Sequence, residues 1–199
     1  MRFQRFRIGP ARGLRLHHGR VTLRPPVQRD WRNWAALRAE SRDFLVPWEP
    51  TWAHDALTRG AFRRRLRLYK AEMRQSLSYS FLIFRHEDGE LVGGITLSNL
   101  RRGVAQSATL GYWIGSPFRR QGYMSDALMA VLEFSFTRLG LHRVEAACLP
   151  NNETSRGLLL KCGFREEGFA REYLRINGRW QDHQLFAMLR QEFAAGQDG

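Results

Sequence analysis

Tyr112-Trp113-Ile114-Gly115-Ser116-Pro117-Phe118-Arg119-Arg120-Gln121-Gly122-Tyr123-Met124-Ser125-Asp126-Ala127-Leu128-Met129-Ala130 reads as a strand, a turn and a helix, in that order. Thr109 to Gly115 is aromatic and β-branched, the composition of a strand. Ser116 to Gly122 is short, basic and punctuated by Pro and Gly, which marks a turn. From Tyr123 onward Met124, Leu128, Val131, Leu132 and Phe136 recur at spacings of three and four, as on an amphipathic helix. The turn therefore presents free backbone N–H groups at a helix N-terminus, with two arginines beside it and Gly122 permitting close approach. Such a place attracts phosphate or pyrophosphate. A plain strand-to-helix connection explains the same pattern about equally well.

A second element follows one strand later. After His142 to Leu149 comes Pro150-Asn151-Asn152-Glu153-Thr154-Ser155, then an apolar segment ending in Cys162-Gly163-Phe164. Arg119-x-x-Gly122-x-Met124 resembles the Q/R-x-x-G-x-G/A acyl-CoA pyrophosphate loop of the GNAT N-acetyltransferase superfamily. The N-x-x-S segment with its short helix resembles that superfamily's second cofactor element. Phe44-Leu45-Val46-Pro47-Trp48-Glu49-Pro50, Gly122 to Leu128 and Gly178-Arg179-Trp180-Gln181-Asp182-His183 are similar to the branch that acetylates N-terminal alanine of ribosomal proteins.

The rest of the chain agrees with one domain. Its 199 residues and 43% apolar content suffice for a full core. No run approaches the roughly 18 apolar residues of a membrane span. Met1 to Arg20 is Arg-rich without an apolar segment, so it is not a secretory signal; a basic extension or an extra strand is preferred to an organellar presequence. The expected organisation is a basic extension at 1–19, one domain over 20–192 and a frayed tail at 193–199. Cys148 and Cys162 form neither a disulfide framework nor a metal site and read as buried thiols in a reducing cytoplasm. A net charge of +13, almost all from arginine, favours anionic surroundings: CoA phosphates, RNA or a ribosome surface.

Taken in order, Val21 to Arg24 is a strand closed by Pro25-Pro26, and Asp30 is the expected N-cap of a helix bearing Trp31, Trp34, Leu37 and Arg38. Phe44 to Trp52 is an aromatic loop whose one acid is Glu49. A long helix is expected from about Ala53 to Gln75, with Arg63-Arg64-Arg65-Leu66-Arg67 as a solvated face. Strands at Ser78–Arg85 and Leu91–Leu100 flank a turn at Glu87–Glu90, and Gly93-Gly94 signals a bulge or a close backbone approach. Asn177-Gly178 marks a last hairpin, between 172–176 and 183–189. These elements give a mixed α/β fold.

The resemblance implies a mostly antiparallel sheet with splayed central strands flanked by helices, and acetyl-CoA as cofactor. It assigns Trp113 and Ile114 to pantetheine, and Arg119, Arg120, Gln121, Gly122, Tyr123, Met124 and Ser125 to the pyrophosphate. It gives Asn152 the pantetheine arm, and an N–H near Ile114 the thioester oxygen. Two positions depart from the superfamily pattern: Thr109 stands where relatives often carry Glu, and Leu159 where many carry a Tyr acid. Glu49 is therefore the leading base or amine anchor, with Glu145 second and Ser155 as acid or thiolate hydrogen-bond donor. Trp48, Glu49 and Asp182 are the expected acceptor-side residues. The implied reaction is direct attack by a protein N-terminal α-amine, of Ala or Ser on a ribosomal protein, within a ternary complex. Acetylation of a small amine, and a basic nucleic-acid or ribosome-binding module on the same fold, are the alternatives. The enzyme is expected to be a monomer or homodimer, with neither membrane nor metal.

Overall fold

The computed structural model describes residues 13–196. One eight-stranded sheet runs in the order β1-β2-β3-β4-β5-β6-β8-β7. Its strands are β1 (Leu16–His18), β2 (Val21–Arg24), β3 (Tyr79–Arg85), β4 (Leu91–Arg101), β5 (Ser107–Ile114), β6 (Arg143–Cys148), β7 (Arg165–Ile176) and β8 (Arg179–Leu189). Every neighbouring pair is antiparallel except β5 and β6. The helices are α1 (Trp31–Glu40), α2 (Arg42–Leu45), α3 (Arg59–Arg74), α4 (Tyr123–Glu133), α5 (Glu153–Lys161) and α6 (Arg190–Ala195).

Both faces of the sheet are covered. On β3, Tyr79 and Phe81 meet Phe134, just beyond the end of α4, edge to face. Three residues along β3 from Phe81, Phe84 points to the other face. There it lies under the Arg24 guanidinium, 4.1 Å from the ring centroid, and Arg24 holds Asp30 at the start of α1. A sheet sandwiched this way buries residues of both parities, which is why the first five residues of β3 are all buried.

Several elements differ from their sequence-based expectation. Residues 16–18 of the expected extension form the edge strand β1, while 1–12 lie outside the described residues. Asp30 does not cap α1 through its side chain; it accepts from Arg24 and from the Val27 N–H, all at 2.7 Å. A charge-assisted bidentate pair outcompetes a single cap bond. The long helix begins only at Arg59, where Thr58 accepts from the Ala61 N–H at 3.2 Å; 54–57 are turns. The aromatic loop contains α2 and a 3₁₀ turn at Val46–Trp48. Part of the expected tail is helical, since α6 runs to Ala195. Arg63, Arg64, Arg65 and Arg67 are exposed on α3 while Phe62 and Leu66 are buried. Cys148 and Cys162 are free and buried.

The Asn177-Gly178 turn has both residues at positive φ, 44° and 81°, as a two-residue hairpin turn requires. Its strands are longer than expected because they continue through two bulges. The Gly93-Gly94 signal also holds. Val92 is the extra residue opposite Ile83 and Phe84, and its carbonyl accepts from the Gly115 N–H at 2.8 Å. A Cβ on Gly93 would overlap the Trp113 carbonyl, and one on Gly94 the Trp113 indole.

Candidate active site

The parallel ladder between β5 and β6 runs from Ser107↔Arg143 to Leu110↔Ala146 and stops. Beyond it β5 continues to Ile114 against β4 alone, while β6 stays with β8 to Cys148↔Gln184. The two strands have parted, leaving a slot whose backbone groups on the β5 side have no strand partner. A cavity of about 430 Å³ opens here, lined by Gly111–Ile114 on one wall and Ala147–Leu149 on the other. Arg119, Arg120, Gly122, Met124 and Ser125 of the turn also line it, as do Trp48 and Glu49 of the aromatic loop and Asn152, Ser155 and His183.

The turn end is shaped for an anion. Arg120 and Gly122 both have positive φ, 58° and 85°, which turns successive N–H groups inward ahead of α4. Arg119 Nε donates to the Ser116 carbonyl at 3.0 Å, and Gln121 Nε2 to that of Pro117 at 2.8 Å. Gln121 and Tyr123 thus serve the turn itself and do not line the cavity. A Cβ on Gly122 would come 2.6 Å from Arg20 Nη2. Arg20, on the β1–β2 turn, is a cation that no local sequence signal places here; it holds Asp126 at 3.2 Å.

The middle of the slot carries hydroxyl chemistry. Asn152 caps α5, its Oδ1 accepting from the Ser155 N–H at 3.1 Å. Its amide hydrogens remain free to donate into the slot. Ser155 Oγ lies 2.8 Å from the Tyr112 phenol oxygen. Burial pushes the Tyr112 phenol up, so it stays protonated and can donate. Leu159, at the position where the superfamily pattern has tyrosine, is wholly buried in the core. A phenol thus reaches Ser155 from β5. Tyr112 was missed as a site residue because its pairing with Ser155 spans 43 positions.

The Glu49 side of the cavity is built around Arg38. Its guanidinium donates both to Glu49 Oε1, at 3.2 Å, and to Oε2. Trp52 Nε1 donates to Oε2 at 2.7 Å. The Arg38 carbon centre sits 4.4 Å from the Trp52 ring centroid and 4.8 Å from that of Trp113. Cation–π contacts of this kind compensate part of the cost of burying the charge. The Asn177 N–H donates to the Glu49 carbonyl at 2.9 Å, docking the last hairpin on the same turn. We expect Arg38→Met to leave the Glu49 carboxylate, 20% exposed, without its counter-ion. Because that carboxylate keeps some solvent, the loss should be about 2 kcal/mol, below the full cost of breaking a buried pair. That corresponds to a fall in Tm of about 4–8 °C, and an unchanged melting curve would contradict it.

Two expected residues lie elsewhere. Glu145 is outside the cavity, accepting from Arg101 Nη2 at 2.7 Å and from Arg143 Nε at 2.9 Å on the sheet surface. Asp182 also lies outside; its Oδ1 accepts from the Glu172 N–H at 2.8 Å, pinning a bulge in β7.

A slot left by parting parallel strands, beside a glycine turn at a helix N-terminus, defines an acyl-CoA-dependent transferase. The acetyltransferase (GNAT) domain profile matches residues 20–165, and the chain belongs to that family. It is 33% identical over 183 residues to the [ribosomal protein uS5]-alanine N-acetyltransferase of Escherichia coli, covering 92% of this chain and 94% of that one. Mycobacterium smegmatis RimJ in complex with CoA-disulfide superposes with a TM-score of 0.82 at 34% identity, covering 92% of this chain and 93% of that one. The ribosomal-protein-S5-alanine acetyltransferase of Vibrio fischeri gives 0.82 at 28%, covering 90% and 98%. The protein is an acetyl-CoA-dependent N-acetyltransferase. Among the described residues no helix is long and apolar enough to cross a membrane.

Proposed function

We propose that the acceptor is the free α-amino group of a protein N-terminus, an alanine or serine of a ribosomal protein. The observation that carries this reading is the state of Glu49. Among the described residues it is the one carboxylate lining the cavity, and it already accepts from Arg38 at both oxygens and from Trp52 at Oε2. So placed, Glu49 is an anchor for the amine. An α-amine, with pKa near 8, is about one tenth neutral at pH 7, whereas lysine, near 10.4, is neutral in well under about a thousandth of molecules. An α-amine needs only modest base assistance, which suits a site whose lining carboxylate is already engaged by Arg38 and Trp52. A polyamine would call for several converging carboxylates, and the cavity offers one. The names of the relatives from Escherichia coli and Vibrio fischeri point the same way.

In this reading acetyl-CoA supplies an activated acetyl thioester. The β5 edge at Trp113 and Ile114 holds the pantetheine, with Asn152 donating from its side-chain amide. The turn from Arg119 to Ser125 takes the pyrophosphate, and Ser155 faces the sulfur. A backbone N–H near Ile114 polarises the carbonyl. Exposed arginines of α3 and the net charge of +13 favour docking on a ribosome, which would place the work in the cytoplasm.

Competition between equimolar peptides tests the reading. A peptide with a free N-terminal Ala or Ser should be acetylated in preference to an N-terminally blocked peptide bearing lysine. Equal or faster modification of the lysine peptide would refute it.

A further inference from the structure

The titratable groups lining the cavity can be sorted by whether they have a lone pair to offer. Glu49 already accepts one hydrogen bond at Oε1, from Arg38, and two at Oε2, from Arg38 and Trp52, which leaves it a single Oε1 site, enough to hold an ammonium. Burial pushes the Tyr112 phenol and the Cys148 thiol up, so both hold their protons. Arg119 and Arg120 at the cofactor turn, and Lys161 at the end of α5, are cationic side chains. His183 remains. It is only 3% exposed yet lines the cavity. Its Nδ1 lies 3.0 Å from the Gln181 carbonyl oxygen. A carbonyl can only accept, so in the neutral ring Nδ1 carries the hydrogen and Nε2 carries the lone pair. Nε2 has no hydrogen-bond partner among the described residues. Tyr173 of β7 packs edge-on against the ring, 5.7 Å between centroids at 70°, and fixes its plane. Along β8, His183 falls one residue past Gln184, the last partner of β6, at the open end of the splay.

We propose that His183 Nε2 is the proton acceptor for the attacking amine, an inference that rests on the α-amine reading above. Nε2 takes one proton from the acceptor's ammonium, freeing the nitrogen lone pair. That pair attacks the thioester carbonyl carbon, so one N–C bond forms and one C–S bond breaks. The second proton lost by nitrogen reaches the departing sulfur through the Ser155 hydroxyl. The proton on His183 passes to solvent at the end of turnover. Tyr173 from β7 packs against this imidazole, and the titratable and charged groups that share the cavity with it are Glu49, Tyr112, Arg119, Arg120, Cys148 and Lys161, with Arg38 paired to Glu49. Glu49 holds the ammonium in place and His183 deprotonates it.

The test is a pH series of kcat on the full chain, with saturating acetyl-CoA and an N-terminal alanine peptide. His183→Asn keeps a donor at the place of Nδ1 and removes the Nε2 base. At pH 7 its kcat should fall about 30-fold, less than the hundredfold or more typical of general-base catalysis, because about a tenth of the α-amine is already neutral. Near pH 9.5 solution supplies neutral amine, and the deficit should shrink to about threefold. Acetyl-CoA affinity should not change. Imidazole added to His183→Ala should restore part of the rate. A loss equal at every pH, with no imidazole rescue, would mean a structural histidine and overturn the proposal; so would no loss at all. Should Asn unfold the strand, His183→Gln is run through the same series and decides the question by the same criteria. If the parent enzyme ignores the peptide and acetylates a small amine, the α-amine reading falls. The same pH series on that amine then still decides for or against His183.

Discussion

Ser155→Ala is expected to lower kcat by about a hundred- to a thousandfold while leaving acetyl-CoA affinity within about threefold, a barrier increase of about 2.7 to 4 kcal/mol. The serine lines the slot, anchored through its own N–H to Asn152 and through its hydroxyl oxygen to the Tyr112 phenol. If Tyr112 donates, the Ser155 hydrogen is free to meet the sulfur as negative charge develops there. Alanine removes that donor at the moment it is needed and leaves ground-state contacts largely intact, so the loss should fall on kcat. Raising the pH should not restore the rate, because departure of the thiolate and not ionisation of the amine is impaired. This separates Ser155 from His183, whose His183→Asn variant should recover part of its loss at high pH. Tyr112→Phe should cost about tenfold, and the double variant should be no slower than Ser155→Ala alone. Full additivity of the two losses would show that the phenol acts elsewhere. The measurement is a pH–rate profile of the variants at saturating acetyl-CoA.

Gly122→Val is expected to weaken acetyl-CoA binding by about a hundredfold, or about 2.7 kcal/mol. Two effects combine. With φ at +85°, Gly122 occupies a region that a β-branched residue enters only with strain. A side chain there would also fill the approach to the turn, where the new Cβ comes 2.6 Å from Arg20 Nη2. The arginine end is flexible and can move; a pyrophosphate seated on the turn N–H groups cannot, without losing them. Calorimetry with acetyl-CoA reads the affinity, and a melting curve without ligand reads the strain separately. Unchanged affinity would remove this turn from the cofactor site. Loss of melting temperature without loss of affinity would make Gly122 a folding residue only.

Where the sequence was legible, the signal was local. Asn177-Gly178 announced its turn because both residues must adopt positive φ, and few residue types do so cheaply. Gly93-Gly94 announced a close approach because the Trp113 carbonyl and indole fill the places where Cβ atoms would stand. The strand–turn–helix at Tyr112–Ala130 and the Asn152–Ser155 cap lie within single short segments whose spacing sets their geometry. Boundaries were less legible: the helix expected from Ala53 begins at Arg59, where the Thr58 cap first satisfies an N–H group. Asp30 looked like an N-cap by local chemistry, yet Arg24 claims it from the preceding strand.

The sequence by itself determined the mixed α/β class, the order of most elements and the strand–turn–helix at Tyr112–Ala130. Each follows from backbone conformation or periodicity within a single short segment. Only the tertiary structure decided which side chains share the cavity. It brought Tyr112 to Ser155 across 43 positions and set Arg38 against Glu49 between two tryptophans. It left Glu145 among surface arginines and turned His183 into the slot. The physical reason is that a carboxylate, a phenol or an imidazole takes its role from the groups around it, and in a sheet of eight strands those groups come from distant parts of the chain.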